Sequence, residues 1–415
     1  MPKILSIDGH LVYNSRGEET IEVTVNVDGA VGRYAAPAGA SVSAHEVKPY
    51  PKGGVEEALE ILKREVRRHF VGFTFGSQEE FDKALSEFDG TGNYSRIGSV
   101  LSLGLSLAVA EASAKSMNIP LYHWLGGDDT SHLPVPLGNV VGGGKHAREA
   151  SIDIQEVLVF PTNAKSIRDA VRSMIAIHRE VGRMLKERDK FFTGGRNDEG
   201  AWVTTLSEAD VFGIVWEAID RIKSEFGVKF ALGIDVAASS LWDESLGLYV
   251  YKRNKALRDK EEQINYILSL IDDYKLSYVE DPLNEQDVTG FKEITRRVKK
   301  TIVVGDDLYA TNPSRLILGV SEKAGNGVII KPNQVGDISK SRAAVNVAKS
   351  GGFRVIVSHR SGETTYPHLA SVAVAFKADM IKCGVVGGER IIKLNELLKI
   401  EEEVGGRLKP MTFSF

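Results

Sequence analysis

Apolar and polar residues alternate through residues 4–13 and 20–27, a period that puts one face of each strand in a core and predicts antiparallel pairing. Asp28-Gly29 supplies a turn before a third strand over residues 31–36. Helical periodicity follows over residues 55–70, 78–88 and 95–117, the last so rich in small and apolar residues that it reads as largely buried. Strands followed by helices predict an α+β domain, placed at residues 1–128. Beyond it, over residues 129–415, strands and helices alternate, which argues for a parallel sheet. Strands are expected at residues 154–160, near Phe191, and at 231–236, 276–280, 301–305, 327–331, 354–359 and 379–382. Eight strands with intervening helices predict an α/β fold in which the N-terminal α+β domain precedes a TIM-like β/α barrel, with its chemistry at the C-terminal ends of the strands.

Those ends carry unusual residues. Three apolar runs terminate in carboxylates, at Asp235, Glu280 and Asp306, spaced 45 and 26 residues apart. Each gap holds one helix with its loops, so the acids converge on one end of the sheet. Gathered carboxylates repel one another unless a cation joins them, and Mg²⁺ is the hard, oxygen-loving candidate. The following strands end at Lys331, at His359-Arg360-Ser361 and at Lys382. A lone lysine closing an apolar run is commonly a snorkelling residue. Two lysines, a histidine and an arginine facing three acids suit a different task, abstraction of a proton beside a carboxylate. The resulting dianion needs positive charge fixed in advance, and a lysine lowered toward neutrality by a nearby cation would serve as base. Arg360 and Ser361 offer charge-assisted bonds to a phosphate or second carboxylate.

The chain of 415 residues has 52 basic and 56 acidic side chains, a balance without the footprint of nucleic acid or an anionic membrane. Its single cysteine, Cys383, excludes an internal disulfide framework and suits a reducing compartment. With neither a signal-like start nor a span-length apolar run, a cytoplasmic protein is expected.

Other motifs are less specific. Asn197-Asp198-Glu199 lies in a glycine-bracketed loop, an ordinary surface turn unless Glu199 serves as a general acid. Gly142-Gly143-Gly144-Lys145-His146 lacks the glycine spacing and the Ser or Thr of a P-loop. Gln155 and Glu156 are expected on opposite faces of the first barrel strand, with at most one facing the lumen.

Taken together, Ser15-Arg16-Gly17, Asp89-Gly90-Thr91, Gln155-Glu156, Asn197-Asp198-Glu199-Gly200, Asp235-Val236-Ala237-Ala238-Ser239, Glu280-Asp281-Pro282, Gly305-Asp306-Asp307-Leu308, residues 358–364 and Lys393-Leu394-Asn395 resemble the enolase family across nearly the whole chain. The resemblance implies reversible Mg²⁺-dependent dehydration of 2-phosphoglycerate to phosphoenolpyruvate, with Lys331 as base and Lys382 stabilising the enediolate. It implies Glu199 as acid assisted by Glu156. It makes Asp235, Glu280 and Asp306 the ligands of a tight Mg²⁺, with Ser41 helping to hold a second that arrives with substrate. It assigns Arg360 and Ser361 to the phosphate and His146, Gln155 and His359 to the site, and implies a homodimer or larger homo-oligomer. The departures lie in the loops. Ala38, Val42 and Ser43 stand where Ser, Thr and Gly are usual, Ala201-Trp202 adds bulk after Glu199, and Glu18-Glu19 replaces Asn-Pro. Altered loops leave open an enolase-like protein that abstracts the α-proton of another 2-substituted acid, or one kept only for binding.

Overall fold

The computed structural model describes residues 1–39, 43–126, 132–147 and 151–405. Ser41 and Val42 lie outside the described residues. An antiparallel sheet opens the chain: β1 (Ile4–Tyr13), β2 (Glu19–Val27) and β3 (Ala30–Ala35) pair in sequence order. Val23, Val25 and Val27 turn inward, as the alternation predicts. Onto that face packs the helix Ser99–Ser116, nearly every residue of which is buried. Gly32 lets it approach, because a Cβ there would overlap the backbone of Ala108 and Ala112.

The barrel strands are β4 (Val135–Gly142), β5 (Glu156–Pro161) and β6 (Phe230–Asp235). A small three-stranded sheet follows: β7 (Trp242–Asp243), β8 (Leu248–Tyr251) and β9 (Ala256–Arg258). The barrel then resumes with β10 (Tyr278–Glu280), β11 (Ile302–Gly305), β12 (Gly327–Ile330), β13 (Arg354–Ser358) and β14 (Met380–Lys382). It closes through parallel pairing of β6 with β10 and of β14 with β4. Leu137, Leu158, Phe160, Tyr278, Ile302, Val304, Ile329, Ile356 and Met380 fill its interior. This plug confines polar chemistry to the mouth.

Two expectations fail. No strand forms at Phe191, which is 66% exposed just beyond the helix Ile167–Arg188. The missing strand is β4, whose Pro136, Gly138 and Asn139 look like turn residues but are buried on both faces. The barrel is also not wholly parallel, since β5 runs antiparallel to both β4 and β6. Among the described residues no long helix separates β4 from β5, and antiparallel neighbours need none. Reversal puts the start of β5, not its end, at the mouth, where Glu156 stands beside Asp235.

A polar seam joins the N-terminal helices to the barrel. Asp82 accepts bonds from the Ser339 amide (3.0 Å) and hydroxyl (2.6 Å), and Tyr94 donates to Asp337 (2.6 Å). Burial, and then the charge of Asp337, push the Asp82 carboxyl up to about 7. The folded protein therefore keeps a proton that the unfolded chain has lost, so stability falls as pH rises from about 4 to about 7, by at most about 1.4 kcal/mol per pH unit. Asp82→Asn is expected to flatten that slope in melting temperatures followed by calorimetry from mildly acidic to neutral pH. An unchanged slope would assign it elsewhere.

Candidate active site

The barrel mouth is assembled from strand ends. Asp235 closes β6, Glu280 closes β10, and Asp306 follows β11. Lys331 follows β12, His359, Arg360 and Ser361 follow β13, and Lys382 closes β14. Asp235, Lys331, His359, Arg360, Ser361 and Lys382 line one polar recess with Gly39, His146, Gln155, Glu156 and Glu199, and Glu280 and Asp306 pair with the two lysines of that lining. Gly39 lies so close to the Arg360 guanidinium that any side chain would overlap it.

Lys382 is the electrostatic centre. Its Nζ donates to both Glu280 oxygens (3.0 and 2.9 Å) and to Asp235 Oδ2 (3.2 Å), and lies 3.1 Å from Glu156 Oε2. Burial alone would lower this ammonium, but the three carboxylates hold it well above the usual lysine range. Lys331 pairs with Asp306 in the same way and is also raised, despite burial. Neither lysine is thus lowered toward neutrality while these pairs stand. Asp306 is held down, the attraction of Lys331 outweighing its burial.

Acids nonetheless outnumber ammonium groups. Glu280 is pushed up to about 8, by burial first and then by Asp235. Glu156 rises well above its ordinary value through burial and the charge of Glu199. Glu199 itself accepts a bond from Asn139 Nδ2 (3.2 Å), with His359 Nε2 3.6 Å and His146 Nδ1 3.8 Å from its Oε1. His146 Nδ1 is likewise 3.8 Å from Glu156 Oε1. Among the described residues, His146, Glu156 and Glu199 each place an atom within 4.8 Å of the others. Glu199 is held well below its ordinary value, the pull of His359, His146, Arg390 and Lys382 outweighing its burial, so of the two carboxyls Glu156 keeps a proton more readily.

Gln155 was expected to face away if Glu156 faced in. Both reach the site: Gln155 sits just before β5, outside the strand's alternation, and donates to Asp235 (3.3 Å). Trp202 does not crowd Glu199. Its indole stacks on His178 (4.8 Å between ring centres) and donates to the His178 carbonyl (2.8 Å), on the helix Ile167–Arg188.

The site has further neighbours, of which the sequence reading marks only Glu18. Glu46 grips Arg360 through two bonds (3.0 and 3.2 Å), and Asn333 accepts from the same guanidinium (3.1 Å). Asn139 lies on the strand hidden by turn-like residues. Glu18, where Asn is usual, bonds Asn14 and Arg16 (3.0 and 3.1 Å), and Arg16 reaches Asp198 at 2.6 Å beside Glu199. Only the last could be sought from sequence, as an unusual residue in a matching motif.

Fold and site define a barrel protein whose mouth gathers buried carboxylates and lysines, roofed by an N-terminal α+β unit. The model for the N-terminal domain of enolase matches residues 4–125, and that for its C-terminal TIM barrel domain matches residues 130–411. Curated relatives named enolase include one from Archaeoglobus fulgidus, 48% identical over 94% of this chain and 95% of its own. Those of Pyrobaculum aerophilum and Thermoplasma acidophilum are each 45% identical, over 95% and 94% of this chain and 95% and 96% of their own. The chain belongs to the enolase family.

Proposed function

We propose that this enolase-family chain is a hydro-lyase that interconverts 2-phosphoglycerate and phosphoenolpyruvate in glycolysis and gluconeogenesis. The observation that carries this reading is the mouth itself. Lys331 and Lys382, each paired with buried carboxylates, line one recess with Glu156 and Glu199. We place the domain boundary near residue 128, and the protein in the cytoplasm as a homodimer or larger homo-oligomer. Among the described residues no helix is long and apolar enough to cross a membrane.

The residues fit Mg²⁺. Asp235, Glu280 and Asp306 are buried acids in excess of their ammonium partners, and burial beside Asp235 raises the Glu280 carboxyl, a strain that a bound cation would relieve. They would hold a tight ion, with Ser41 contributing to a second. Bound there, Mg²⁺ supplies positive charge for the substrate carboxylate as its negative charge grows.

The chain's own groups carry the rest. Lys331, once released from Asp306, takes the C2 proton, and the electron pair of that C–H bond is delocalised into the carboxylate beside Lys382. The pair then forms the C2–C3 double bond as the C3–O bond breaks. Glu199 donates the proton with which the hydroxide leaves as water, having received it from Glu156, the carboxyl that keeps a proton more readily. Arg360 exchanges Glu46 for the phosphate, with Ser361 beside it. Gln155 orients Asp235, and His146 and His359 border the acids.

Turnover of 2-phosphoglycerate, followed by ultraviolet absorbance of the enol product, is expected with Mg²⁺ and lost on chelation. Tight Mg²⁺ binding without turnover would point to another 2-substituted acid as substrate.

A further inference from the structure

The site holds a buried arginine with no part in the chemistry above. Arg390 lies on the helix Gly388–Glu403 and is completely buried. Its Nη1 donates to the Arg360 carbonyl (2.5 Å) and stands 2.8 Å from His359 Nδ1. Its Nη2 donates to the carbonyls of Asp198 (2.7 Å) and Ser361 (2.6 Å), and Nε faces Glu389 at 3.3 Å.

A guanidinium carries hydrogens on every nitrogen and has no acceptor. At 2.8 Å from Nη1, His359 Nδ1 must therefore present its lone pair, which leaves the ring hydrogen on Nε2. That nitrogen is buried, makes no hydrogen bond among the described residues, and faces Glu199 Oε1 at 3.6 Å. Burial first, with the charges of Arg390, Lys382 and Lys331, outweighs the opposing pull of Glu199 and holds the imidazole well below its ordinary value, in its neutral form. A neutral donor facing Glu199 steadies its carboxylate after proton donation. An ionised histidine would hold that carboxylate too strongly for a proton to return.

We infer that Arg390 is a positioning residue that locks His359 as the Nε2–H tautomer facing Glu199. The same fork ties the acid loop, through Asp198, to the anion-binding loop, through Arg360 and Ser361. One planar group thus sets the separation between the proton donor and the phosphate contacts. A lysine keeps the charge but not the fork. The consequence for catalysis rests on the function proposed above, whereas the tautomer does not.

Histidine-selective ¹⁵N NMR tests the assignment without substrate, the His359 signals being identified by their loss in His359→Asn. In the wild-type protein near neutral pH, Nδ1 is expected bare and Nε2 protonated. Arg390→Lys and Arg390→Met are expected to mix the tautomers. In both, kcat should fall about 10- to 100-fold with KM within about threefold. A wild-type Nδ1–H or imidazolium form would overturn the inference even if Arg390→Met failed to fold. So would an unchanged tautomer in Arg390→Lys, or a changed tautomer with kcat preserved. If 2-phosphoglycerate proves not to be the substrate, the spectra still decide the tautomer.

Discussion

Lys331→Ala is expected to lower turnover of 2-phosphoglycerate by at least about 10³-fold, within the range a positioned general base supplies. Among the described residues, neither the other lysine nor His359 is placed to take over. Lys382 is committed to Glu280, Asp235 and Glu156, and His359 is neutral with Nε2 directed toward Glu199. The fold should survive, because Asp306 retains its bond from Gln334 (3.2 Å) and loses only its ammonium partner. Residual activity near wild type would remove Lys331 from the role. An unfolded variant would be evident from its circular dichroism and would be replaced by Lys331→Gln.

Lys382→Met is expected to cost stability as well as activity. Wild-type Lys382 is 2% exposed and is the shared partner of three buried carboxylates. Removing one side of a buried ion pair costs about 3–5 kcal/mol, because the remaining charge cannot be solvated. Glu280 and Glu156, already raised, should respond by taking up protons, so the loss grows as pH rises. Urea unfolding in the presence of chelator should show it directly, with Mg²⁺ recovering part of the stability. Stability equal to the wild type without metal would mean that Lys382 is not the electrostatic centre of the mouth.

The securest part of the site was readable because it follows strand geometry. Apolar runs ending in Asp235, Glu280, Asp306, Lys331 and Lys382 put those side chains at one rim, and the barrel obeys. Strand direction was less accessible. An apolar run looks the same in either sense, so nothing in Val157-Leu158-Val159-Phe160 announces that β5 runs backwards. Glu156 and Gln155 consequently reach the site by a route that simple alternation does not predict. β4 was hidden for a related reason: Pro136, Gly138 and Asn139 signal turns locally, and only burial between neighbouring strands overrides them. Arg390, Glu46 and Asn139 act through contacts with residues distant in the chain, such as Arg390 with His359 or Glu46 with Arg360. No spacing rule links those positions. Trp202 shows the opposite error, where size was read without direction, and its ring packs on His178 instead of beside Glu199.

The central claim is that Lys331 and Glu199 divide the reaction, one taking the C2 proton and the other releasing the C3 hydroxyl. The most direct test is exchange of the C2 hydrogen of 2-phosphoglycerate for deuterium, followed by proton NMR in heavy water with Mg²⁺. Exchange is expected in the wild-type protein and in Glu199→Gln, the latter without formation of phosphoenolpyruvate, and is expected to vanish in Lys331→Ala. Exchange that persists in Lys331→Ala, or that is lost in Glu199→Gln while Lys331 is intact, would contradict this division of labour.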